Sequence, residues 1–395
     1  MIERKITPYL KTLAKFFPVV TILGPRQSGK TTLAKSVFEN YSKVNLEDKT
    51  AREMAIEDPK AFFELYPPPV IIDEVQRVPE LLSTIQIMAD DSKKRGQFIL
   101  TGSHQPKLHE GISQSLAGRT GIANLLPLSI AELDNAGISL SRDEYIFNGF
   151  MPRLYDESIP PEILYPSYYN TYVERDVRQL INLYNQRSFE TFVKLLAGRV
   201  GQIINMSSLA GDVGVSVTTL NSWLSVLEAS YIIFRLPCYF ENFGKRLTKA
   251  SKVFFVDVGL ACSLLGIDSL DKVARDPLLG GLFENLVVLE ALKTRYNAGK
   301  NAELYYFRTQ HQVEVDLLLN DGRRLLPMEI KAGMTYSKSY AENLRKFSSF
   351  AKNVQNPTVI YGGETQVTLN GISFTGFKNT SKIISSHDYL DNTHS

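Results

Sequence analysis

Cysteine is scarce in this chain and long apolar runs are missing. Among 395 residues only Cys238 and Cys262 carry thiols, both among apolar neighbours and far from any histidine. That pattern excludes a disulfide framework and a Cys/His zinc site. No apolar stretch approaches the roughly 20 residues that cross a bilayer, so no membrane-spanning helix and no membrane partner are expected. The formal net charge of +2 is too small to point to nucleic acid, which only a local basic cluster can do. Internal repeats and low-complexity tracts are absent as well, so the chain does not read as a repeat array.

What is present is an ordinary globular composition, 44% hydrophobic and 22% charged. The length exceeds one compact core and suits two or three domains. Arg4, Lys5, Lys11 and Lys15 precede the apolar run 16–23, superficially like a signal peptide. Pro18 interrupts that run, no small-residue cleavage site follows, and the run leads straight into a glycine loop. A helix feeding the first core strand, in a cytoplasmic protein, is the expectation.

In the first half, strand-like runs at 19–23, 43–46, 70–72, 97–100 and 120–126 alternate with helical stretches. This predicts a parallel sheet with crossover helices. Beyond Pro127 the pattern turns helical, and Pro160-Pro161 and Pro166 mark loops before a stretch at 168–183. From 189 to 236 the order is helix, a short helix 207–213, a turn at Gly214, a helix 216–229 and a strand 231–236, a winged-helix outline. The region 280–377 opens with an amphipathic helix and continues with strands at 303–307, 313–319, 324–331 and 358–361. The expected domains are a core at 1–135, a helical lid at 136–187, a winged-helix-like domain at 188–260, an α/β domain at 261–384 and a disordered tail at 385–395.

Gly24-Pro25-Arg26-Gln27-Ser28-Gly29-Lys30-Thr31 matches G-x-x-x-x-G-K-[ST] at every fixed position, after an apolar strand and before the helical stretch 32–38. The glycines let backbone N–H groups turn inward around phosphates, and the helix N-terminus adds favourable partial charge. Lys30 then neutralises the β and γ phosphates of ATP, and Thr31 offers its hydroxyl to magnesium. The adjoining Thr32 completes the candidate nucleotide site. Val70-Ile71-Ile72-Asp73-Glu74 reads as a buried strand ending in two acids: Asp73 to hold magnesium through water, and Glu74 to polarise the attacking water. A paired acid here favours hydrolysis over mere binding.

Two further elements have two readings each. Leu100-Thr101-Gly102-Ser103 places hydroxyls beside the acid strand, either as a γ-phosphate sensor centred on Ser103 or as a turn. Arg119 precedes the next strand, either as an arginine finger acting on a second copy in a homo-oligomer or as a surface arginine.

The helix 216–229 carries Ser216, Thr218, Thr219, Asn221 and Ser222, small polar groups suited to a phosphate backbone or base edges. The segment 235–252 adds Lys245, Arg246, Lys249 and Lys252 against only Glu241. Either this face meets DNA, or the element packs on protein with Leu220, Trp223, Leu224 and Leu227 as core and the lysines solvated.

Further along, Glu284 on a helix, Asp316 ending Val313-Glu314-Val315-Asp316, and Glu329-Ile330-Lys331 resemble the PD-(D/E)xK nuclease arrangement. Glu329 and Lys331 lie two apart on one strand and so share a face. Asp316 and Glu329 would hold magnesium and Lys331 would orient water. Glu284 faces protein, and such an inward acid needs a partner. The competing reading is a structural salt-bridge network around Lys331.

Taken in order, the core motif and Asn45-Leu46-Glu47-Asp48, Asp73-Glu74-Val75-Gln76, Leu100-Thr101-Gly102-Ser103, Leu116-Ala117-Gly118-Arg119 and Tyr172-Val173-Glu174-Arg175-Asp176 form a specific series. It continues through Phe255-Val256-Asp257-Val258-Gly259-Leu260 and Leu282-Phe283-Glu284-Asn285. The series resembles the prokaryotic AAA-type ATPases whose core opens Gly-Pro-Arg-Gln-x-Gly-Lys-Thr-Thr-Leu and is followed by a carboxy-terminal domain of unknown function. Where that family has Gly-Gly-[Tyr/Phe]-Pro, this chain has Asn148-Gly149-Phe150-Met151-Pro152, so a differently shaped loop is expected. The resemblance implies an α/β P-loop NTPase sheet with helices on both faces, a winged-helix-like middle and a restriction-endonuclease-like α/β end. The function expected is ATP hydrolysis with magnesium, driving conformational change on DNA or a protein partner. The alternatives are an ATP-dependent nuclease and a nucleotide-gated scaffold with negligible turnover.

Overall fold

Every residue of the strand Val19–Gly24 is buried, and its side chains alternate between two apolar layers rather than between core and solvent. In the computed structural model this strand, β1, lies inside a parallel sheet with β2 (Ser42–Asn45), β3 (Val70–Asp73), β4 (Phe98–Ser103) and β5 (Thr120–Asn124), in the order β2-β3-β4-β1-β5. The structure describes all residues except 104–113, 178–185, 240–249, 310–312, 323 and 390–395, and leaves the side chains of 103, 174–176, 186 and 387–389 undescribed. Counts of elements refer to the described residues.

Val19, Leu23, Val70, Ile72, Phe98 and Leu100 face one layer, which the helices Lys49–Glu57, Pro59–Leu65 and Leu81–Ser92 complete. Val20, Ile22, Ile71 and Ile99 face the other, packed under Thr7–Phe16 and Lys30–Val37. Helices on both faces remove any solvent side, which is why these strands read as continuous apolar runs. Asp48 and Asp58 start two of the covering helices by accepting the backbone N–H groups of Ala51 at 2.8 Å and Ala61 at 3.0 Å. The parallel sheet predicted from the alternating pattern is present, and it is that of a P-loop NTPase. All five strands point their carboxyl ends to one edge, where β1 and β3 deliver Gly24 and Asp73.

The chain divides into two units: residues 1–128 with 229–231 and 296–300, and residues 129–228, 232–295 and 301–395. The segments expected as separate lid, middle and terminal domains thus fall largely within the second unit. There the expected order of helix (Gln186–Ala197), helix (Met206–Val213), turn and helix (Val217–Ala229) is followed by β6 (Ile233–Leu236), which pairs antiparallel with β7 (Lys252–Phe255). Gly214 makes the turn at φ 75°, and Trp223 packs its ring on Phe189 and Phe192. Leu220, Leu224 and Leu227 are buried with it, while Thr218, Asn221 and Ser222 are exposed.

The second sheet of this unit runs β12-β13-β11-β10-β9-β8, from β8 (Leu304–Arg308), β9 (Glu314–Asn320), β10 (Leu325–Lys331), β11 (Thr358–Tyr361), β12 (Val367–Leu369) and β13 (Ile372–Gly376). β8, β9 and β10 form an antiparallel meander, and β11 and β13 add to β10 in parallel. The long helix Leu279–Asn297 precedes it. The helix Thr380–Tyr389 runs into the segment expected to be disordered from 385. No helix among the described residues is long and apolar enough to cross a membrane.

Candidate active site

At the end of β1 the chain approaches its neighbour so closely that a Cβ on Gly24 would lie 2.1 Å from the carbonyl oxygen of Leu125. Only glycine fits there. Gly29 then takes φ 89° and caps the helix Lys30–Val37, so the intervening residues wrap in front of that helix's N-terminus. Arg4 clamps the loop from behind, donating to the carbonyls of Ser28 at 2.8 Å and Leu126 at 2.6 Å. Lys30 is buried and its Nζ donates to the carbonyls of Gly24 at 3.0 Å and Pro25 at 2.7 Å. Burial pushes its ammonium down to about 8, against the support of Glu74 and Asp73, while Arg26 adds to the depression. Ser28 Oγ lies across the loop, 3.3 Å from the Cβ position at Gly24, buried and without a hydrogen-bond partner. A phosphate group fits this cradle: it would accept from the loop N–H groups and the lysine and would give Ser28 a partner.

Thr31 donates its hydroxyl to Asp73 Oδ1 at 2.8 Å. Thr101, buried on β4 opposite Ile22 of β1, donates to the same oxygen. Thr31 and Asp73 therefore present oxygens side by side next to the cradle, a set that fits magnesium alongside phosphate oxygens. Glu74 follows at φ 57°, a left-handed turn that swings its side chain away from the strand direction. Gln76 donates to its carboxylate. Burial raises the Glu74 pKa, Lys30 opposes that rise, and Asp73 adds to it.

The remaining candidates separate. Arg26 reaches Glu47 at 3.2 Å and Arg77 reaches the same carboxylate at 3.6 Å, while Gln27 and Thr32 are exposed. Ser103 ends β4 opposite Gly24, but its side chain lies outside the described residues; the hydroxyl that meets the acid is Thr101. Arg119 sits at the opposite edge of the sheet, where its carbonyl accepts from the N–H of Val19, the first residue of β1. That edge is roughly 17 Å from the loop at a strand's rise of about 3.3 Å per residue. Its guanidinium is held by Asp90 at 2.7 and 2.8 Å. Arg119 therefore does not serve the loop of its own chain.

In the second unit Glu284, Asp316, Glu329 and Lys331 do come together, with two residues added. Lys331 Nζ lies 2.7 Å from Glu329 and 3.4 Å from Asp316. Lys252 Nζ lies 2.9 Å from Glu284, 2.7 Å from Glu314 and 3.7 Å from Asp316. Burial and the neighbouring Asp316 carry Glu284 and Glu329 above the usual carboxylate range, opposed by Lys252 and Lys331 respectively. Lys252, grouped from sequence with a solvent-facing basic wing, is buried among acids instead. Lys245, Arg246 and Lys249 lie outside the described residues. Among the described residues no group of three or more His, Cys, Asp or Glu side chains is arranged to hold a metal ion.

The family described as "AAA domain" matches residues 17–134, and two described as domains of unknown function, DUF8612 and DUF4143, match 140–271 and 279–379. The uncharacterized proteins Rv2008c of Mycobacterium tuberculosis and Mb2031c of Mycobacterium bovis are each 30% identical over 357 residues, spanning 89% of this chain and 78% of theirs. This chain belongs to their family. Among solved structures it is similar to the Walker-type ATPase PABY2304 of Pyrococcus abyssi, at 15% identity and a TM-score of 0.46, over 67% of this chain and 96% of that one. It is also similar to AMPPCP-bound DnaA from Aquifex aeolicus, at 17% identity and a TM-score of 0.29, over 56% and 85%. The AAA domain coincides with the sheet, the cradle and the two acids.

Sequence reasoning named Ser103 rather than Thr101 among the hydroxyls beside the acid strand, and grouped Lys252 with the basic segment rather than with the acids. Thr101 was visible as a hydroxyl at the end of a strand adjacent to the acid strand. Lys252 offered only one signal, a lysine directly before three apolar strand residues, where a buried charge must find partners.

Proposed function

We propose that the amino-terminal unit binds ATP with magnesium and hydrolyses it. The observation that carries this reading is the convergence of Thr31 and Thr101 on one oxygen of Asp73, beside a loop whose lysine is buried and whose Ser28 hydroxyl awaits an acceptor. Lys30 and the loop N–H groups hold the phosphates. Bound magnesium would neutralise charge on the β and γ oxygens, held by Thr31 and Asp73. Glu74 takes a proton from the attacking water, its elevated pKa making it a stronger base than an exposed carboxylate. Lys30→Ala should abolish ATP binding. Glu74→Gln should keep binding and lower turnover by about a hundredfold or more. Undiminished turnover in Glu74→Gln would remove the assignment of the base.

The cycle is proposed to drive a conformational change on a partner, and duplex DNA is the partner this reading favours. The exposed Thr218, Asn221 and Ser222 on the helix Val217–Ala229 suit a phosphate backbone, and Lys245 and Arg246 follow in the chain. Binding should weaken as salt rises, and Lys245→Glu with Arg246→Glu should weaken it for all sequences alike. Turnover unaffected by DNA, together with no salt-dependent binding, would assign this face to a protein.

A further inference from the structure

We infer that Lys252 is the built-in cation of the acidic site in the second unit, its ammonium taking the side of Asp316 that faces Glu284 and Glu314, where a divalent metal ion would otherwise bind. This goes beyond the ATPase reading and does not depend on it.

Three carboxylates from two elements surround this one ammonium: Glu284 from the helix Leu279–Asn297, and Glu314 and Asp316 from β9. The side chain of Lys252 is only 4% exposed. An ammonium removed from water is stable only where acids supply what hydration did, and three acids so close together would repel one another without it. The two close contacts, at 2.7 and 2.9 Å, are N–H···O distances. Magnesium demands oxygens at about 2.0–2.1 Å, so the acids are spaced for an ammonium rather than for that ion.

The lysine is fixed by backbone and cannot be regarded as a long side chain that happened to fall inward. β7 pairs with β6 at Leu236, and Lys252 itself bridges to Ile203 on the other side. Asn285, the neighbour of Glu284, donates to the carbonyl of Phe255 at 2.8 Å and accepts its N–H at 2.7 Å. That double contact sets the register of the helix on β7 and brings Glu284 to the lysine. The Tyr306 ring lies 5.6 Å from Nζ.

Asp316 ties the two halves of the site, with Oδ1 toward Lys252 and Oδ2 taking the N–H of Ile330 at 2.8 Å and Lys331 at 3.4 Å. Glu329 has one oxygen on Lys331 and takes a further hydrogen bond from the Asn343 side chain. The charge that a metal ion would bring to these acids is thus already supplied, by Lys252 on one side of Asp316 and Lys331 on the other.

Titration of the full-length, nucleotide-free chain with Mn2+, read by electron paramagnetic resonance, tests this. The wild-type chain should bind no ion that Asp316→Asn removes. Lys252→Met should gain one Mn2+ per chain, at least tenfold tighter than anything the wild type shows, and Asp316→Asn in that background should abolish it. Because Lys252→Met takes the shared cation from the buried Asp316 and the half-buried Glu284 and Glu314 and can fail to fold, Lys252→Gln with Glu314→Gln removes one charge of each sign and is expected to gain the same ion. A wild-type Mn2+ site lost in Asp316→Asn would overturn the inference. So would a double variant with native circular dichroism that gains none.

Discussion

Thr31 donates its hydroxyl to Asp73 Oδ1 at 2.8 Å, joining the phosphate loop to the acid strand. The contact crosses from the first turn of the helix Lys30–Val37 to the end of β3, two places that only the parallel packing of the sheet brings together. Thr101, from β4, meets the same oxygen and is buried behind it. One carboxylate thus has its orientation set from two sides, which leaves its second oxygen the freer to act.

Thr101 is therefore a positioning residue. Thr101→Val keeps the shape and removes the donor, and a hydrogen bond to a charged group contributes about 1.5–3 kcal/mol. Turnover should fall by roughly ten- to a hundredfold, with ATP affinity in the absence of magnesium unchanged. Equal turnover in the variant would return Thr101 to a structural role in the core.

Much of this site was legible because its chemistry is written in contiguous motifs. Gly24 to Thr31 and Asp73-Glu74 each lie within a few residues, and the strand and helix that frame them have strong apolar patterns. Thr101 was less visible because its partner is set by strand order, β3 beside β4, which spacing along the chain does not reveal. That Arg119 lies away from the loop of its own chain was contained in the sequence. In a parallel sheet the residue before a strand lies at the edge opposite the strand ends that build the site. Lys252 was the least visible, since Glu284, Glu314 and Asp316 all lie more than thirty residues away and nothing local announces them.

The buried lysine makes nucleotide binding sensitive to alkali. With its pKa pushed down to about 8, Lys30 loses its proton well below the ordinary lysine value of 10.5. Affinity for ATP should weaken above about pH 8, by up to about tenfold per pH unit for the loss of one proton. Glu74→Gln removes a charge that supports the ammonium, so its alkaline limb should begin at lower pH. The sign for stability is opposite. Between about 8 and 10.5 the unfolded chain holds more proton at this lysine than the folded one, so the destabilisation caused by burying Lys30 is relieved as pH rises through that window. Calorimetric titration at a series of pH values checks the first claim, and affinity unchanged from pH 7 to 9.5 would refute it.

Arg119 can reach a phosphate only on another copy of the chain, since its own loop is across the sheet. If it is an arginine finger, Lys30→Ala chains still offer a working Arg119, and Arg119→Ala chains still offer a working loop. Mixing the two low-activity variants should restore part of the turnover, and dilution should remove it again. Full turnover in Arg119→Ala alone, or no recovery on mixing, would reduce Arg119 to a surface partner of Asp90.

The divergent loop Asn148-Gly149-Phe150-Met151-Pro152 is tied at its centre to the buried carboxylate of Asp257, while the Tyr155 and Tyr165 hydroxyls hold the carbonyls of Gly149 and Asn148. Asp257 Oδ2 accepts the N–H of Phe150 at 2.9 Å, while Oδ1 accepts the N–H of Gly259 at 2.9 Å and the hydroxyl of Tyr165 at 2.6 Å. Two motifs of the family series, around Phe150 and around Asp257, thus form one contact. Burial raises the Asp257 pKa, opposed chiefly by Lys293 and by these three donors. Asp257→Ala would strand the N–H groups of Phe150 and Gly259 in the interior, where each lost partner costs about 1–3 kcal/mol, while the Tyr165 hydroxyl keeps the carbonyl of Asn148 at 2.9 Å. The second unit should lose about 3 kcal/mol or more, a fall of roughly 5–10 °C in Tm. Asp257→Asn keeps an acceptor oxygen and should lose less. Thermal unfolding followed by circular dichroism compares the three chains. An Asp257→Ala chain that melts with the wild type would show that the donors find other partners, and that the loop is held by the packing of Phe150 and by the tyrosine hydroxyls on the carbonyls of Asn148 and Gly149.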